Sequence, residues 1–242
     1  MTLLEIGWHG GETWDWLVSS PLFGVFLTLG AYGAGRWAHR RTGHPLLQPV
    51  VVAIAIVSGV LLVADVDYDQ YLTGGSFVAF WLGPATVALA LPLHQEWHLV
   101  RQAALPIAAG VLSGAFVSVL TAVWATELAG GSRSLQLTMA PKAATTPVSL
   151  ALSTQIGGIP ALTAVMTIVA GITGAIIGPW LLDRLGVTDL RARGVALGTV
   201  GHGISTARAL QESRTEGAFS ALSMALSALA TSIMVPLLVL IV

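Results

Sequence analysis

Long apolar blocks dominate the chain, and short polar segments separate them. About 20 apolar residues cross the roughly 30 Å hydrocarbon core of a bilayer as a helix, so the longer blocks are predicted to span a membrane. The blocks are 17–34, 46–64, 76–93, 102–126, a charge-free run 143–182 that two segments must share, a glycine-rich segment 194–210, and 217–242. This pattern predicts an all-α polytopic membrane protein with a single membrane domain over residues 1–242.

Arginines between the blocks indicate how the chain is oriented. Arg36, Arg40 and Arg41 follow the first block and mark its end as cytoplasmic, because basic residues concentrate on that side. If every block crossed once, the arginine-rich loop 183–193 would lie outside, against the same rule. A segment that enters and leaves on one side near residue 142 returns this loop to the cytoplasm. The charges therefore predict a broken or re-entrant helix there.

Lys142 is the only lysine of the chain, and it lies in an apolar segment between Pro141 and Pro147. Each proline lacks an N–H and disfavours helix continuation, so a break is expected. A lysine at the centre of a membrane helix costs about 2.5–3.5 kcal/mol on insertion scales and usually faces a cavity or a partner. No carboxylate is close in sequence. We predict an anion site at Lys142; the alternative is a side chain that snorkels to the membrane interface.

A weak internal repeat agrees with a break at this position. A shift of 61 positions aligns residues 87–91 with 148–152 without a gap, although chance matches are common in a chain rich in Ala, Val and Leu. The alignment predicts two inverted repeats, about 77–125 and 138–186. Transporters often place interrupted helices at matching positions of two such repeats, with the substrate between them.

The same shift sets Pro84 and Thr86 against Thr145, Thr146 and Pro147. Half-helices that begin at these two breaks would present partial positive charge and free N–H groups, which suit a carboxylate. The threonine hydroxyls would donate hydrogen bonds to it. For each threonine, the alternative is a hydrogen bond to a carbonyl of its own helix.

A second polar cluster occupies residues 198–208. Its glycines permit close backbone approach, Arg208 can form a bidentate pair with a carboxylate, and His202 can carry a proton near neutral pH. The alternatives are tight helix packing at the glycines and an ion pair of Arg208 with Glu212. The residues of this cluster that we assign to the candidate site are His202, Gly203, Thr206 and Arg208.

Composition excludes several classes of function. Hydrophobic residues make up 55% of the chain and charged residues 10%, which lies outside the range of soluble domains. The absence of cysteine excludes disulfides and thiol catalysis. His94 and His98 have a metal-compatible spacing without further ligands, and His202 with Ser205 lacks an orienting acid. We expect no enzymatic activity, no metal, no cofactor and no nucleic acid.

Several stretches closely resemble the LrgB/CidB family, and together they cover nearly the whole chain. Small departures occur at Ala143 and Ala144, where the family often has Ser-Val, and at Ser205, where it often has Gly. The stretches that carry the resemblance are 140–147, 155–164, 193–209, 216–220, and upstream 44–47 and 82–89.

The resemblance implies a multi-pass protein of the bacterial inner (plasma) membrane, with a small holin-like LrgA/CidA protein as partner. It also implies two functions. Members are named antiholin-like regulators of murein hydrolase activity and autolysis, whereas the related plastid translocator moves glycolate and glycerate and some bacterial members are linked to pyruvate uptake.

We predict a transporter of small monocarboxylates such as glycolate, glycerate, pyruvate or lactate, working as a homodimer. No Asp or Glu is expected inside the spans, so any coupling would use a proton, through His202. The alternative is a non-transporting antiholin-like regulator that acts with its holin-like partner. The predicted substrate-binding residues are Lys142, Thr145, Thr146, Thr86, Pro84, Pro147, His202, Gly203, Thr206 and Arg208.

Overall fold

The computed structural model describes residues 10–44, 47–88 and 90–241. Over these residues the chain forms thirteen α-helices and no strand, which confirms the all-α prediction. The helices are α1 (Gly10–Ser19), α2 (Pro21–Thr42), α3 (Pro49–Val63), α4 (Tyr68–Phe80), α5 (Leu82–Ala88), α6 (Ala90–Gln95), α7 (Trp97–Gln102), α8 (Ala104–Leu128), α9 (Arg133–Met139), α10 (Thr146–Ile156), α11 (Pro160–Arg184), α12 (Leu190–Glu212) and α13 (Arg214–Ile241).

The chain divides into two compact units, Met1–Val87 and Ala88–Val242. In the first unit, α2 packs against α3 and α4. Gly24 and Gly74 bring the backbones of α2 and α4 into direct contact, and the Thr28 hydroxyl lies 2.8 Å from the Tyr71 hydroxyl. The single membrane domain over the whole chain stays a prediction.

Three helices, α8, α11 and α13, are long and apolar enough to cross a membrane. Helices α8 and α11 each comprise 25 residues, about 37 Å of helix. Helix α3 is apolar but shorter, at 15 residues. The second unit thus contains three helices long and apolar enough to span a membrane, with the broken segments described below packed among them.

The predicted block 76–93 is not one helix. The chain passes from α4 to α5 through a turn at Trp81, and a separate helix, α6, begins at Ala90. Pro84 has no N–H to donate to the carbonyl of Phe80, and its ring would clash with that carbonyl, so α4 ends at Phe80. The break predicted at Pro84 is therefore present, and the half-helix that follows it, α5, begins two residues earlier, at Leu82.

Helices α9 and α10 form a hairpin, hairpin 1, around a break at residues 140–145. The outer ends of the hairpin meet, because the Ser134 hydroxyl donates to the Gly157 carbonyl at 3.5 Å. Nearer the break, the Thr138 hydroxyl accepts from the Ile159 N–H at 2.8 Å. With 7 and 11 residues, the arms are about 10 and 16 Å long, too short to cross a bilayer alone. The predicted broken helix around Lys142 is confirmed.

Helix α12 also folds back on itself, at His202, and forms hairpin 2. His202 has φ 39° and ψ −135°, outside the helical region. Gly198 before this residue and Thr206 after it both contact Ser220 of α13. In a straight helix these two residues would be separated by about 12 Å along the axis, so the two arms must run in opposite directions.

In each hairpin, the end opposite the turn lies near one end of α11, and the two hairpins use different ends. The arms of hairpin 1 end next to Pro160, where α11 begins. Hairpin 2 starts at Leu190, after α11 ends at Arg184. Each hairpin is followed by a long helix, α11 or α13. This is an inverted arrangement of one motif. The cytoplasmic location of the arginine-bearing end of α11 stays a prediction from the positive-inside rule. The repeat boundaries 77–125 and 138–186 stay a prediction.

The contact of Gly198 with α13 gives a test of hairpin 2. Gly198→Ala is expected to destabilise the protein by about 1–3 kcal/mol, because the new Cβ would overlap the Ser220 carbonyl. Gly203→Ala, in the other arm, is the matched control, since the nearest atom to its Cβ would be Met224 Sδ at 3.9 Å. Thermal unfolding in detergent measures both variants, and equal melting temperatures would contradict the fold-back.

Candidate functional site

Lys142 lies in the break of hairpin 1 and is partly buried. Its Nζ donates to the Ser118 hydroxyl of α8 at 3.5 Å. Within residues 10–44, 47–88 and 90–241 no carboxylate forms an ion pair with it. The ammonium is therefore held by one long neutral hydrogen bond, and its charge is not balanced by a described acidic side chain.

Two cavities meet at Lys142. One, of about 440 Å³, extends along α11 to Leu182, near the end that leads to hairpin 2. The other, of about 670 Å³, extends to Gly131 and Leu162, near the end where hairpin 1 closes. Lys142 lines both, together with Met139 and Met166. The cation thus lines two cavities that extend toward opposite ends of α11.

Ser149 holds the break in shape. Its buried hydroxyl lies 2.7 Å from the Pro141 carbonyl and 3.2 Å from the Ala144 carbonyl. A helix break leaves such carbonyls without their usual partners, and in an apolar environment each must be satisfied internally. The Ser149 side chain, near the start of α10, thereby fixes the backbone on both sides of Lys142.

Helix α10 begins beside this break. Thr145 is its N-cap, without a side-chain capping bond, and Pro147 lies in its first turn. Thr145 and Thr146 are partly buried and Pro147 is exposed. The positive end of the α10 dipole therefore lies within a few residues of the Lys142 ammonium, and both favour an anion.

Pro84 and Thr86 belong to α5. Pro84 is exposed, and the side chain of Thr86 lies outside the described part of the chain. Both are in the first compact unit, whereas Lys142 is in the second. Their contribution to the site stays a prediction.

His202 is a buried residue at the tip of hairpin 2, and it lines neither of the two cavities at Lys142. Its Nε2 lies 2.8 Å from the Thr167 carbonyl of α11. Because a carbonyl only accepts, Nε2 carries the hydrogen. The ring also packs against Gly171, where a Cβ would lie 2.6 Å from the imidazole Cε1. The structure thus uses His202 to attach the tip of hairpin 2 to α11.

The remaining residues of the second cluster pack hairpin 2 against α13. The Thr206 hydroxyl donates to the His202 carbonyl at 2.8 Å and lies 2.9 Å from the Ser220 hydroxyl. Arg208 pairs with Glu212 at 2.5 Å, and Gly203 is exposed beside the turn. Thr206 thus bonds a carbonyl of its own helix and Arg208 forms an ion pair with Glu212, which are the alternatives to substrate binding given above. Neither residue lines the cavities at Lys142.

Several polar residues were not identified from the sequence. Ser118 contacts Lys142, and Thr163 bonds both Ser153 at 2.7 Å and the Thr138 carbonyl at 3.0 Å. A row of hydroxyls also faces the protein interior from α13. Their spacing of three or four residues is the helical signal that could have indicated them. The row consists of Ser220, Ser223, Ser227 and Thr231, all buried.

A buried carboxylate lies directly before the predicted block 217–242. Helix α13 begins at Arg214, three residues before the predicted block, and Glu216 in its first turn is 1% exposed. In the loop before α12, by contrast, Asp189 is exposed, and hydrogen bonds from Arg191 lower the pKa of its carboxyl to about 2. No group of three or more potential metal ligands occurs among the residues described.

Comparison with known proteins places the chain in a family. The model of the LrgB-like family matches residues 28–241. The chain belongs to the LrgB-like family. No solved structure gives a significant match.

Relatives of the LrgB-like family match along most of their length. An uncharacterized protein, YxaC of Bacillus subtilis, is 34% identical over 89% of this chain and 94% of the relative. The holin-like protein CidB of Staphylococcus epidermidis is 31% identical over 89% and 94%. The antiholin-like protein LrgB of Bacillus cereus is 30% identical over 90% and 95%. The resemblance predicted from the motifs is confirmed.

Ser149 gives a test of the break in this LrgB-like chain. Ser149→Ala is expected to cost about 1–3 kcal/mol and to speed amide exchange in residues 140–145, because the buried Ala144 carbonyl loses its partner and the Pro141 carbonyl keeps only the Ala144 N–H. Ser113→Ala removes an exposed hydroxyl that bonds only within α8 and is the control. Hydrogen exchange by mass spectrometry measures both, and unchanged exchange in Ser149→Ala would contradict this role.

The backbone of His202 gives a second test. His202→Gly is expected to be more stable than His202→Ala by about 1 kcal/mol, because glycine tolerates the positive φ and both variants lose the bond to Thr167. At Ala207, an exposed helical position, Ala207→Gly should instead be destabilising by up to about 1 kcal/mol. Thermal unfolding shows which variant is the more stable at each position. If His202→Ala is more stable than His202→Gly, the strained turn at His202 is refuted.

Proposed function

We propose that this protein carries small monocarboxylates, such as glycolate, glycerate, pyruvate or lactate, across the membrane, with Lys142 binding the carboxylate. The observation that carries the proposal is the position of Lys142, which is unpaired with any described acid and lines two cavities that extend toward opposite ends of α11.

The electrostatics of the break favour an anion as ligand. A cation in an apolar span costs several kcal/mol unless a partner balances it, and a bound carboxylate would supply the missing negative charge. The α10 N-terminus adds partial positive charge, and Thr145 and Thr146 lie beside the break as hydroxyl donors. The apolar lining of both cavities suits a substrate with one charged group and a small remainder.

Two hairpins that open at opposite ends of one helix also support a transporter. Inverted repeats with broken helices allow a site near the midplane to face either side in turn. A bacterial inner-membrane location and a homodimer belong to this proposal.

The second candidate function is a non-transporting regulator of murein hydrolase activity and autolysis, acting with a small holin-like membrane protein. The names of two relatives, holin-like protein CidB and antiholin-like protein LrgB, favour it. In that reading Lys142 would stabilise the protein or contact the partner.

Uptake by purified protein in liposomes separates the two candidates. Wild-type protein should take up at least one labelled anion from the panel of glycolate, glycerate, pyruvate and lactate. Lys142→Gln should reduce this uptake at least about tenfold, because the variant lacks the ammonium that binds the carboxylate. A tenfold reduction corresponds to a loss of roughly 1.4 kcal/mol of binding or transition-state free energy. Arg133→Gln is the matched control, because Arg133 is an exposed cation at the start of the same hairpin.

Two results would contradict the transport proposal. One is wild-type protein that carries no anion of the panel although it is folded by thermal unfolding. The other is Lys142→Gln with the uptake of the wild type. An inert wild type that still co-purifies with a small holin-like protein would establish the second candidate.

A further inference from the structure

Glu216 has a buried carboxyl group, although its position in the sequence is typical of a residue that caps a helix. Ser213 and Glu216 have the spacing of a capping box, in which the glutamate side chain accepts from the N–H of the N-cap residue. Only half of this box forms, because the Glu216 N–H donates to the Ser213 hydroxyl at 3.0 Å while the Ser213 N–H donates to the Ala209 carbonyl. The Glu216 side chain is free of the cap and is 2% exposed.

The carboxyl group of Glu216 is poorly compensated. Its Oε2 lies 3.6 Å from Arg193 Nε, whereas Arg193 Nη1 donates at 2.6 Å to Asp183 and at 3.1 Å to the Val187 carbonyl. The other oxygen, Oε1, is buried and has no hydrogen-bond partner. An ionised carboxylate would leave this oxygen unsatisfied at a cost of several kcal/mol, whereas a protonated one is neutral.

The charges around Glu216 do not balance when it is ionised. Arg193 and Arg208 face three carboxylates, and each forms its short ion pair with an exposed one, Asp183 or Glu212. Three negative and two positive groups leave one excess negative charge, and one proton on Glu216 removes it.

The other elements that pack against α13 do not supply the missing cation. Helix α10 has no charged residue, and α8 has only Glu127, near its far end. Helix α6 carries His94, which is exposed, and the neighbouring Arg214 is also exposed. Within the described chain, the titratable neighbours that bear on Glu216 are therefore the two arginines and two acids named above.

Both protonation states are accessible at this position. Burial favours the neutral acid, while Arg193 and the N-terminus of α13 favour the anion. The ionised group pairs α13 with the first arm of hairpin 2, and protonation removes that pairing. A proton taken from the cytoplasm would thus change how firmly hairpin 2 is attached.

We propose that Glu216 is a proton-binding site that couples proton entry or release to movement of the carboxylate anion. This inference rests on the proposed transport function. The step is a simple protonation, in which a carboxylate oxygen of Glu216 accepts H⁺ and the carboxylate becomes a neutral acid.

Transport in liposomes tests the coupling. With an inward gradient of one pH unit, one proton per anion supports about tenfold accumulation of the anion by the wild type. Glu216→Gln, which mimics the protonated group, should lose this accumulation yet retain anion exchange without a gradient. Glu127→Gln removes an exposed acid of α8 and should behave as the wild type.

Infrared difference spectroscopy tests the proton site without transport. The wild type should show a protonated-carboxyl band that titrates with pH and is missing in Glu216→Gln but present in Glu127→Gln. A band unchanged in Glu216→Gln, or gradient-driven accumulation that persists in that variant, would overturn the inference. If the band behaves as expected but the wild type moves no anion, the proposed function fails while the proton site stands.

Discussion

The fold of the second unit depends on satisfying the backbone polar groups at two helix breaks. Lipid offers no hydrogen bonds, so each break must find its partners within the protein. At hairpin 1 the Ser149 hydroxyl reaches the Pro141 and Ala144 carbonyls, and at hairpin 2 the Thr206 hydroxyl reaches the His202 carbonyl. Small side chains with hydroxyl groups therefore concentrate at these positions, where a larger apolar residue would leave carbonyls unpaired.

Hairpin 1 could be predicted because two independent signals coincide. The prolines on both sides of Lys142 exclude a continuous helix, and the arginines at 36–41 and those in the loop 183–193 require an even number of crossings between them. Hairpin 2 has neither signal. No proline lies within α12, and its glycines are equally suited to tight helix packing, so the reversal at His202 became evident only from the contacts of both arms with Ser220.

The candidate site could be predicted only in part, for a related reason. Lys142 stands out in the sequence because its charge is unusual in an apolar run. His202, Thr206 and Arg208 also stand out, but their partners Thr167, Ser220 and Glu212 decide what they do, and such pairings depend on packing. Glu216 lies one residue outside the predicted block 217–242, and only its burial in the structure distinguishes it from the acid of an ordinary helix cap.

Helix α11 determines where Lys142 can lie. Its Thr163 bonds hairpin 1 through Thr138 and Ser153, and one turn later Thr167 accepts the hydrogen bond of His202 from hairpin 2. Both hairpins are thus attached to the same short stretch of one helix through buried groups, whose loss would leave unsatisfied polar atoms. Lys142 has only the 3.5 Å contact to Ser118 on the α8 side. Hairpin 1 is therefore attached to α11 by short hydrogen bonds between buried groups, and to α8 by one long hydrogen bond together with the apolar packing of Ala140 against Val119.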